Sequence, residues 1–518
     1  MLRRIFAAKG FHIGLMFAEA AAKHGSVPIT LDAPMQLAPE YGVDFTIASF
    51  AQLIDEMAAK LAEVGVRAKD KVAIHKTDNV DIVVLACAVS RLGAVPALLS
   101  PALDAPVVAQ LLGRLDRPWL ITDGDKLAGS LADVDVTSVV RQTLLSAGEA
   151  PGALSLAKVT ASGPVTPVRL APREPALITH SSGTTGVPKL AVHCANSLWH
   201  RLLPQKMMAW PIRKRETAAL CMTFVHSRFY NALCVFLSFG NPLVIASDWR
   251  PENIGELFAR TRPGYVESQP NTYIEWEELV DHDRAPLANV RCYGGTFDAM
   301  HPRTIQKLLS GSKRRNPLFI QLYGQSETGP CTGRWYTKRT AAKTDGRSMG
   351  MPLPGFVKLR VTGPDGKRVS RGQVGNLEVK LRSRVLTYHG EEARYNNQFN
   401  GNWWRMGDMG YRSRAGFVFL LDREQDRIAS MDSNLAAEDT LMSRLDELRE
   451  VVIVAGRDGE PVPVVCTRGD RPVDIARWRA ATNDLPAMAD PIQLRFEDIP
   501  HTSTWKVRRS ELAKKLAA

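Results

Sequence analysis

Between Phe45 and Ala97 the chain alternates helical and strand periodicity, and this alternation restricts the fold more than any other feature. FTIASFAQLIDEMAAKLAEVGV spaces its apolar residues as an amphipathic helix does, KVAIH is a short strand, and NVDIVVLACAVSRLG is an apolar helical run. The pattern resumes in strand-like AALCMTF, NPLVIAS, GYVESQP, NVRCYGG and PLFIQLYG, with helical PENIGELFART and PRTIQKLLS between them. Strands alternating with helices predict α/β layering. A chain of 518 residues exceeds what one compact core holds, so two or more domains are expected. After FVFLLDREQDRI a smaller unit begins, with strands near VVIVAG and PVPVVCT and a helix near DIARWRAATNDL. The boundary falls close to Asp422, dividing the chain into residues 1–421 and 422–518.

The stretch THSSGTTGVPKL, Thr179 to Leu190, has the vocabulary of a surface turn, but its order suits a phosphate cradle. Glycines let backbone N–H groups approach an anion, hydroxyls add donors, and Lys189 adds a positive charge. ALIT ahead of it reads as a strand, and LAVHCANSLWHRLL behind it reads as a helix. Pro188 before Lys189 excludes a Walker A loop, which requires Gly-Lys-Ser or Gly-Lys-Thr.

SSGTTGVPK, Ser181 to Lys189, fits every position of [ST]SG[ST]TGxPK and so resembles the phosphate loop of the ANL adenylating enzymes. That family includes acyl-CoA synthetases, peptide-synthetase adenylation domains and luciferases. The resemblance implies a large N-terminal adenylating domain of layered sheets and helices with a small mobile C-terminal α+β domain. It also implies that Ser181, Ser182, Gly183, Thr184, Thr185, Gly186 and Lys189 bind ATP.

Four further blocks follow in family order. GGTFD resembles the adenine-side turn, implying Gly294, Gly295 and Thr296 beside the purine. QLYGQSET resembles YGxTE. The implied roles are Tyr323 stacking on adenine, Gly324 beside nucleotide and substrate, Ser326 contacting the α-phosphate and Glu327 binding Mg²⁺. RMGDMGYRSRAGFVFLLDR resembles the TGD…GR block, implying Asp408 at the ribose hydroxyls and Arg423 near ribose and phosphate. PHTSTWKVRR resembles PxTxxGKxxR, implying that Lys506 bridges the α-phosphate and the attacking oxyanion. Two anions must meet in that step, and a mobile ammonium neutralises the charge developing between them.

FVHSRFYN stands where the family has FHxxG beside the acyl pocket. His226 aligns with the family histidine, and Arg228 occupies a position where small or apolar residues are usual; an arginine there can read a carboxylate bidentately. The hinge block departs from the family pattern at Gln425, Ala429, Asp432 and Ala437, and Trp505 replaces the glycine before Lys506. In thioester-forming relatives the glycine at the place of Asp432 lines the pantetheine passage, so a carboxylate there would narrow it.

A hydrophobic fraction of 45% and a charged fraction of 23% describe an ordinary globular chain. The net charge of +12 comes from scattered Lys and Arg, which gives a solvated basic surface rather than a nucleic-acid footprint. The seven cysteines lie far apart without zinc spacing and read as reduced thiols. No apolar run approaches membrane-spanning length, so the expected partner is a small molecule, with no nucleic acid and no membrane, in the cytoplasm.

The resemblance therefore implies an AMP-forming ligase in which ATP and Mg²⁺ activate a small oxyanion, an aryl or other organic carboxylate, before transfer to a nucleophile, with CoA left open. The alternatives are an ATP-dependent diazotase that activates nitrite for an aromatic amine, an ordinary acyl-CoA synthetase, and a non-catalytic nucleotide-binding protein.

Overall fold

Helix Asp81–Arg91 is buried along its whole length, and the large sheets are arranged around it. Its sequence is apolar on every face, which suits an interior position rather than a surface one. The computed structural model describes residues 10–181, 187–209, 216–296, 299–502 and 506–517.

In an eight-stranded sheet, Val95–Leu98, Lys71–Ile74, Trp119–Thr122 and Gln142–Leu145 run parallel in that spatial order, with Pro175–His180 beside Val95–Leu98. A fourteen-stranded sheet carries a parallel half through Pro28–Leu31, Leu243–Ile245, Ala218–Leu220, Tyr265–Ser268, Cys292–Gly295 and Leu318–Gln325. It continues antiparallel through Gly329–Tyr336, Ser348–Pro352, Val418–Arg423 and Trp403–Arg412. One apolar cluster joins Leu31 and Leu220 of the larger sheet to Val72 and Ile74 of the smaller, with Val83 and Leu85 of the buried helix between them. The helix Ile47–Glu63 starts in a capping box, where Ser49 N donates to Thr46 Oγ1 at 3.1 Å.

The α/β layering follows the alternation in the sequence, but one expected element differs. The run from Leu190 is not helical at its start: Leu190–Cys194 is a strand antiparallel to Pro175–His180, and the helix begins at Ala195. All five strand residues are buried, so no period in the sequence separates strand from helix there. The phosphate-type loop therefore joins two strands of one hairpin rather than a strand and a helix.

The C-terminal segment forms a three-stranded sheet from Leu448–Ala455, Pro461–Thr467 and Ile492–Gln493, with helices Asn434–Arg444, Ile475–Thr482 and Arg509–Ala517. Asp422 precedes it and accepts from Asn434 N with both oxygens at 3.1 Å, at the start of helix Asn434–Arg444. Burial pushes the Asp422 carboxyl up to about 7. Ion pairs that fasten this segment to the body of the protein include His301 with Asp439 at 2.6 Å, Arg449 with Glu275 at 2.6 Å, Arg468 with Glu277 at 2.9 Å and Arg303 with Asp446 at 3.5 Å.

His301 titrates within reach of experiment. Burial alone would lower its pKa, but the hydrogen bond and charge of Asp439, with Glu450 and Glu438 nearby, hold it up at about 9 against an ordinary 6.5. A raised folded pKa means that the pairing energy, about 1–2 kcal/mol, is complete below pH 6.5 and lost as pH rises through 9. The melting temperature of the parent should therefore exceed that of His301→Gln most at mildly acidic pH, and the gap should close above pH 9. Thermal melts of both proteins across pH check this, and a gap independent of pH would remove the charge from the contact.

Candidate active site

Strand ends from both large sheets converge on a cavity of about 350 Å³. Pro175–His180 ends at Ser181, Ala218–Leu220 leads on to His226 and Arg228, and the Leu318–Gln325 strand turns through Ser326 and Glu327 into Gly329–Tyr336. This is where α/β folds collect ligands, beyond the carboxyl ends of parallel strands. A second cavity of about 180 Å³ lies under the C-terminal segment and shares Gly324, Arg423 and Lys506 with the first.

The hairpin loop is closed at its base by a reciprocal pair: Ser181 N donates to the Lys189 carbonyl at 2.9 Å, and Lys189 N donates to Ser181 Oγ at 3.2 Å. Ser182, Gly183, Thr184, Thr185 and Gly186 lie outside the described residues. Lys189 Nζ reaches Tyr388 Oη at 3.4 Å and lies 3.9 Å from Glu327 Oε1; burial lowers its pKa, against the pull of Glu327. Tyr388 donates to the same Glu327 oxygen at 2.6 Å. Among the described residues no group of three or more His, Cys, Asp or Glu could hold a metal by itself. A single carboxylate facing a phosphate site fits Mg²⁺, which takes one or two carboxylates and completes its shell with phosphates and water.

On the side facing the C-terminal segment, the Tyr323 hydroxyl donates to Asp408 Oδ2 at 2.5 Å, and Arg423 Nε lies 3.8 Å from Asp408 Oδ1. Asp408 and Arg423 are direct partners across antiparallel strands, which explains why residues fifteen apart meet. Gly294 and Gly295 end the strand Cys292–Gly295, where a Cβ would strike the Tyr265 hydroxyl and the Phe319 ring. Their identity is thus set by packing beneath the strand. The Thr296 hydroxyl, buried in the cavity wall, has no hydrogen-bond partner among the described residues. Gly324 begins the tight turn, since a Cβ there would run into the Gly329 carbonyl.

His226 caps helix Ser227–Phe239: its Nδ1 accepts from Arg228 N at 3.1 Å. Burial, then the charges of Arg201, His180, Lys506 and Arg228, lower its pKa to about 3, so the ring is neutral. With Nδ1 accepting, the proton sits on Nε2 and is donated to Ser326 Oγ at 3.1 Å. Arg228 does not point free into the cavity. Its Nε and Nη2 bind Glu267 at 2.5 and 2.6 Å, and its Nη1 contacts Gln205 Oε1.

Lys506 lines both cavities together with Arg423, and shares the main one with Ser326, Glu327 and His226. Gln425 also lines the main cavity, whereas Asp432 is exposed and lines neither cavity. Trp505 lies outside the described residues. Trp404 packs against Tyr388, Tyr395 and Phe399.

Sequence reasoning overlooked four residues. Arg201 is fully buried and donates to the carbonyls of Ser326 and Glu327 at 3.0 and 2.9 Å, to Ser383 O at 2.9 Å and to Ser227 Oγ at 3.0 Å. Tyr388, Glu267 and Gln205 complete the contacts of Lys189, Glu327 and Arg228. Arg201 alone carried a signal, an arginine beside the apolar pair Leu202 and Leu203 in a helical run.

A family profile for AMP-binding enzymes matches residues 17–389. The 3-amino-2-hydroxy-4-methoxybenzoate diazotase of Streptomyces cremeus is 56% identical over 99% of this chain and 97% of its own length. The 3-aminoavenalumate diazotase of a Streptomyces species is 26% identical over 79% of this chain and 73% of its own. The crystal structure of the anthranilate CoA ligase AuaEII with anthranoyl-AMP shares the fold at a TM-score of 0.82 and 16% identity, covering 98% of this chain and 97% of that one. Among the described residues no helix is long and apolar enough to cross a membrane. Profile, full-length relative and site geometry agree, and the chain belongs to the AMP-binding enzyme family, as an adenylate-forming enzyme.

Proposed function

We propose that the protein is an ATP- and Mg²⁺-dependent diazotase acting on a small aromatic amine. The observation that carries this reading is 56% identity, across 99% of the chain, to a protein named for diazotisation. In the first step a nitrite oxygen attacks the α-phosphorus of ATP and pyrophosphate leaves, giving a nitrosyl adenylate. In the second the arylamine nitrogen attacks the nitrosyl nitrogen and AMP leaves; the resulting nitrosamine, on protonation, loses water to become the diazonium ion.

The roles assigned to individual residues belong to the same proposal. Lys189 and the loop before it hold the β- and γ-phosphates, while Ser326, oriented by the neutral His226, donates to the α-phosphate. Tyr323, Gly324, Gly294, Gly295 and Thr296 surround adenine, and Asp408 and Arg423 take the ribose. Glu327 supplies the carboxylate ligand of Mg²⁺, which when bound offsets phosphate charge. Lys506, carried by a mobile unit of residues 422–518, neutralises the meeting of nitrite and phosphate. Support comes from its place in both cavities and from a main-cavity lining whose only carboxylate, among the described residues, is Glu327. CoA is not the acceptor in this reading, consistent with the altered hinge and tail. A cytoplasmic setting accords with seven buried, unpaired cysteines.

Incubation with ATP, nitrite and an aminobenzoate should release pyrophosphate and AMP and give a diazonium ion that couples to a dye. Pyrophosphate release with carboxylic acids but not with nitrite would overturn the reading in favour of acyl activation. Lys506→Ala should slow nitrite-dependent pyrophosphate release by about a hundredfold or more while leaving ATP affinity within a few-fold, because its charge acts in the transition state. Single-turnover AMP formation at the parent rate would remove it from the chemistry. Glu327→Gln should shift the Mg²⁺ dependence of pyrophosphate release to about tenfold higher concentration, an amide being a poorer ligand for this cation. Superimposable Mg²⁺ titrations of variant and parent would count against the assignment.

A further inference from the structure

Arg228 stands in the first turn of helix Ser227–Phe239, in the wall of the main cavity. Its partner Glu267 is fully buried and also accepts the Tyr265 hydroxyl at 2.6 Å. Beyond this pair lies a pocket of about 40 Å³, lined in part by Met208, Val235, Phe236 and Ile320, which shares Arg228, Gln205 and Leu322 with the main cavity. So small a space has room for little more than a water or two. The Arg228–Glu267–Gln205 bridge thus stands as a partition between the main cavity and this small pocket.

Closing a cavity does not require charge. Apolar side chains of similar volume would seal it without the desolvation cost of a buried ion pair, and such replacements are often neutral or stabilising. The guanidinium therefore needs another reason to be there. Glu267 and Gln205 engage three of its five N–H groups and the Tyr265 hydroxyl also contacts the guanidinium, which leaves one or two donors for a ligand. Its orientation is fixed by the bidentate contact, so little side-chain entropy is lost when a ligand arrives. The surrounding wall offers Thr223, Asn231 and the neutral His226, and among the described residues no carboxylate other than Glu327, which is held at the far end by Lys189 and Tyr388.

We infer that Arg228 is the specificity-determining residue for the acceptor: it binds a carboxylate on the arylamine, while Glu267 acts as a positioning residue that aims the guanidinium. The amine is thereby directed away from the partition, toward Ser326 and Lys506. The inference rests on the diazotase reading for the fate of the amine, but recognition of the acid can be measured without nitrite or ATP.

Calorimetric titration of the full-length protein with 3-amino-2-hydroxybenzoate and with 3-amino-2-hydroxybenzamide tests it. The parent should bind the acid at least about tenfold more tightly than the amide. Arg228→Met would strand Glu267 as an unpaired buried charge, so the variant used is Arg228→Met with Glu267→Gln, its folding checked by a thermal melt. It should bind acid and amide with nearly equal affinity. Arg228→Lys keeps the counter-charge to Glu267 and should reduce the preference several-fold. Equal affinities in the parent, binding of neither compound, or an undiminished preference in either variant would overturn the inference. Nitrite-dependent pyrophosphate release by the same parent sample reports separately on the reaction, so failure of one does not imitate failure of the other.

Discussion

The Arg201 guanidinium joins three segments far apart in sequence: the turn carrying Ser326 and Glu327, the helix start at Ser227 and the strand connection at Ser383. Burial lowers its pKa to about 10, which still leaves it charged at neutral pH. Buried carbonyls need partners, and a charged donor meets three of them at once at a cost that is repaid only because the geometry is satisfied throughout. By holding the carbonyls of residues 326 and 327, Arg201 directs the side chains of Ser326 and Glu327 toward the cavity. Gly329, in the left-handed region at φ 69°, lets the turn fold back against the aliphatic part of the same arginine. The turn that carries Ser326 and Glu327 thus takes its shape from a cation whose side-chain hydrogen bonds go to backbone carbonyls and a serine.

The remaining charges follow one logic. Lys189, Arg394, Arg405, Arg423 and Lys506 line the main cavity with Glu327 as the single acid among its described residues, so the cavity is complementary to a polyanion. Burial first, and then the charges of Arg201, His180, Lys506 and Arg228, keep His226 neutral. A neutral ring can donate from one nitrogen and accept at the other, which is how it caps a helix and orients Ser326 at the same time. A protonated ring would lose the acceptor and with it the cap.

Most of the fold was legible because hydrophobic period and element length agree: NVDIVVLACAVSRLG could hardly be anything but a buried helix. Leu190–Cys194 was misread because a fully buried strand has no alternation, and the helix that follows lent it its apparent period. At the site, residues within continuous motifs could be placed by resemblance: Tyr323, Asp408 and Lys506 line the smaller cavity together, and of the three Lys506 also lines the main one. Glycines were legible as positions but not in cause, since Gly294 and Gly295 make way for Tyr265 and Phe319 beneath them. Tyr388 and Glu267 escaped notice because each acts on a partner more than thirty residues away, and one sequence carries no record of such a pairing.

The same lysine lines both cavities, and the segment that carries it is tied down by His301–Asp439, Arg449–Glu275 and Arg468–Glu277. In the reaction proposed above this segment would form a roof over the reactants and protect a hydrolysable intermediate from bulk water. Such protection would impose a timetable. Nucleotide and acceptor would have to be aboard before the roof is fastened, and AMP would depart only after the ion pairs part. Tighter fastening would then prolong the shelter and slow the exit, so contacts remote from the reacting atoms would bear on how fast the cycle turns.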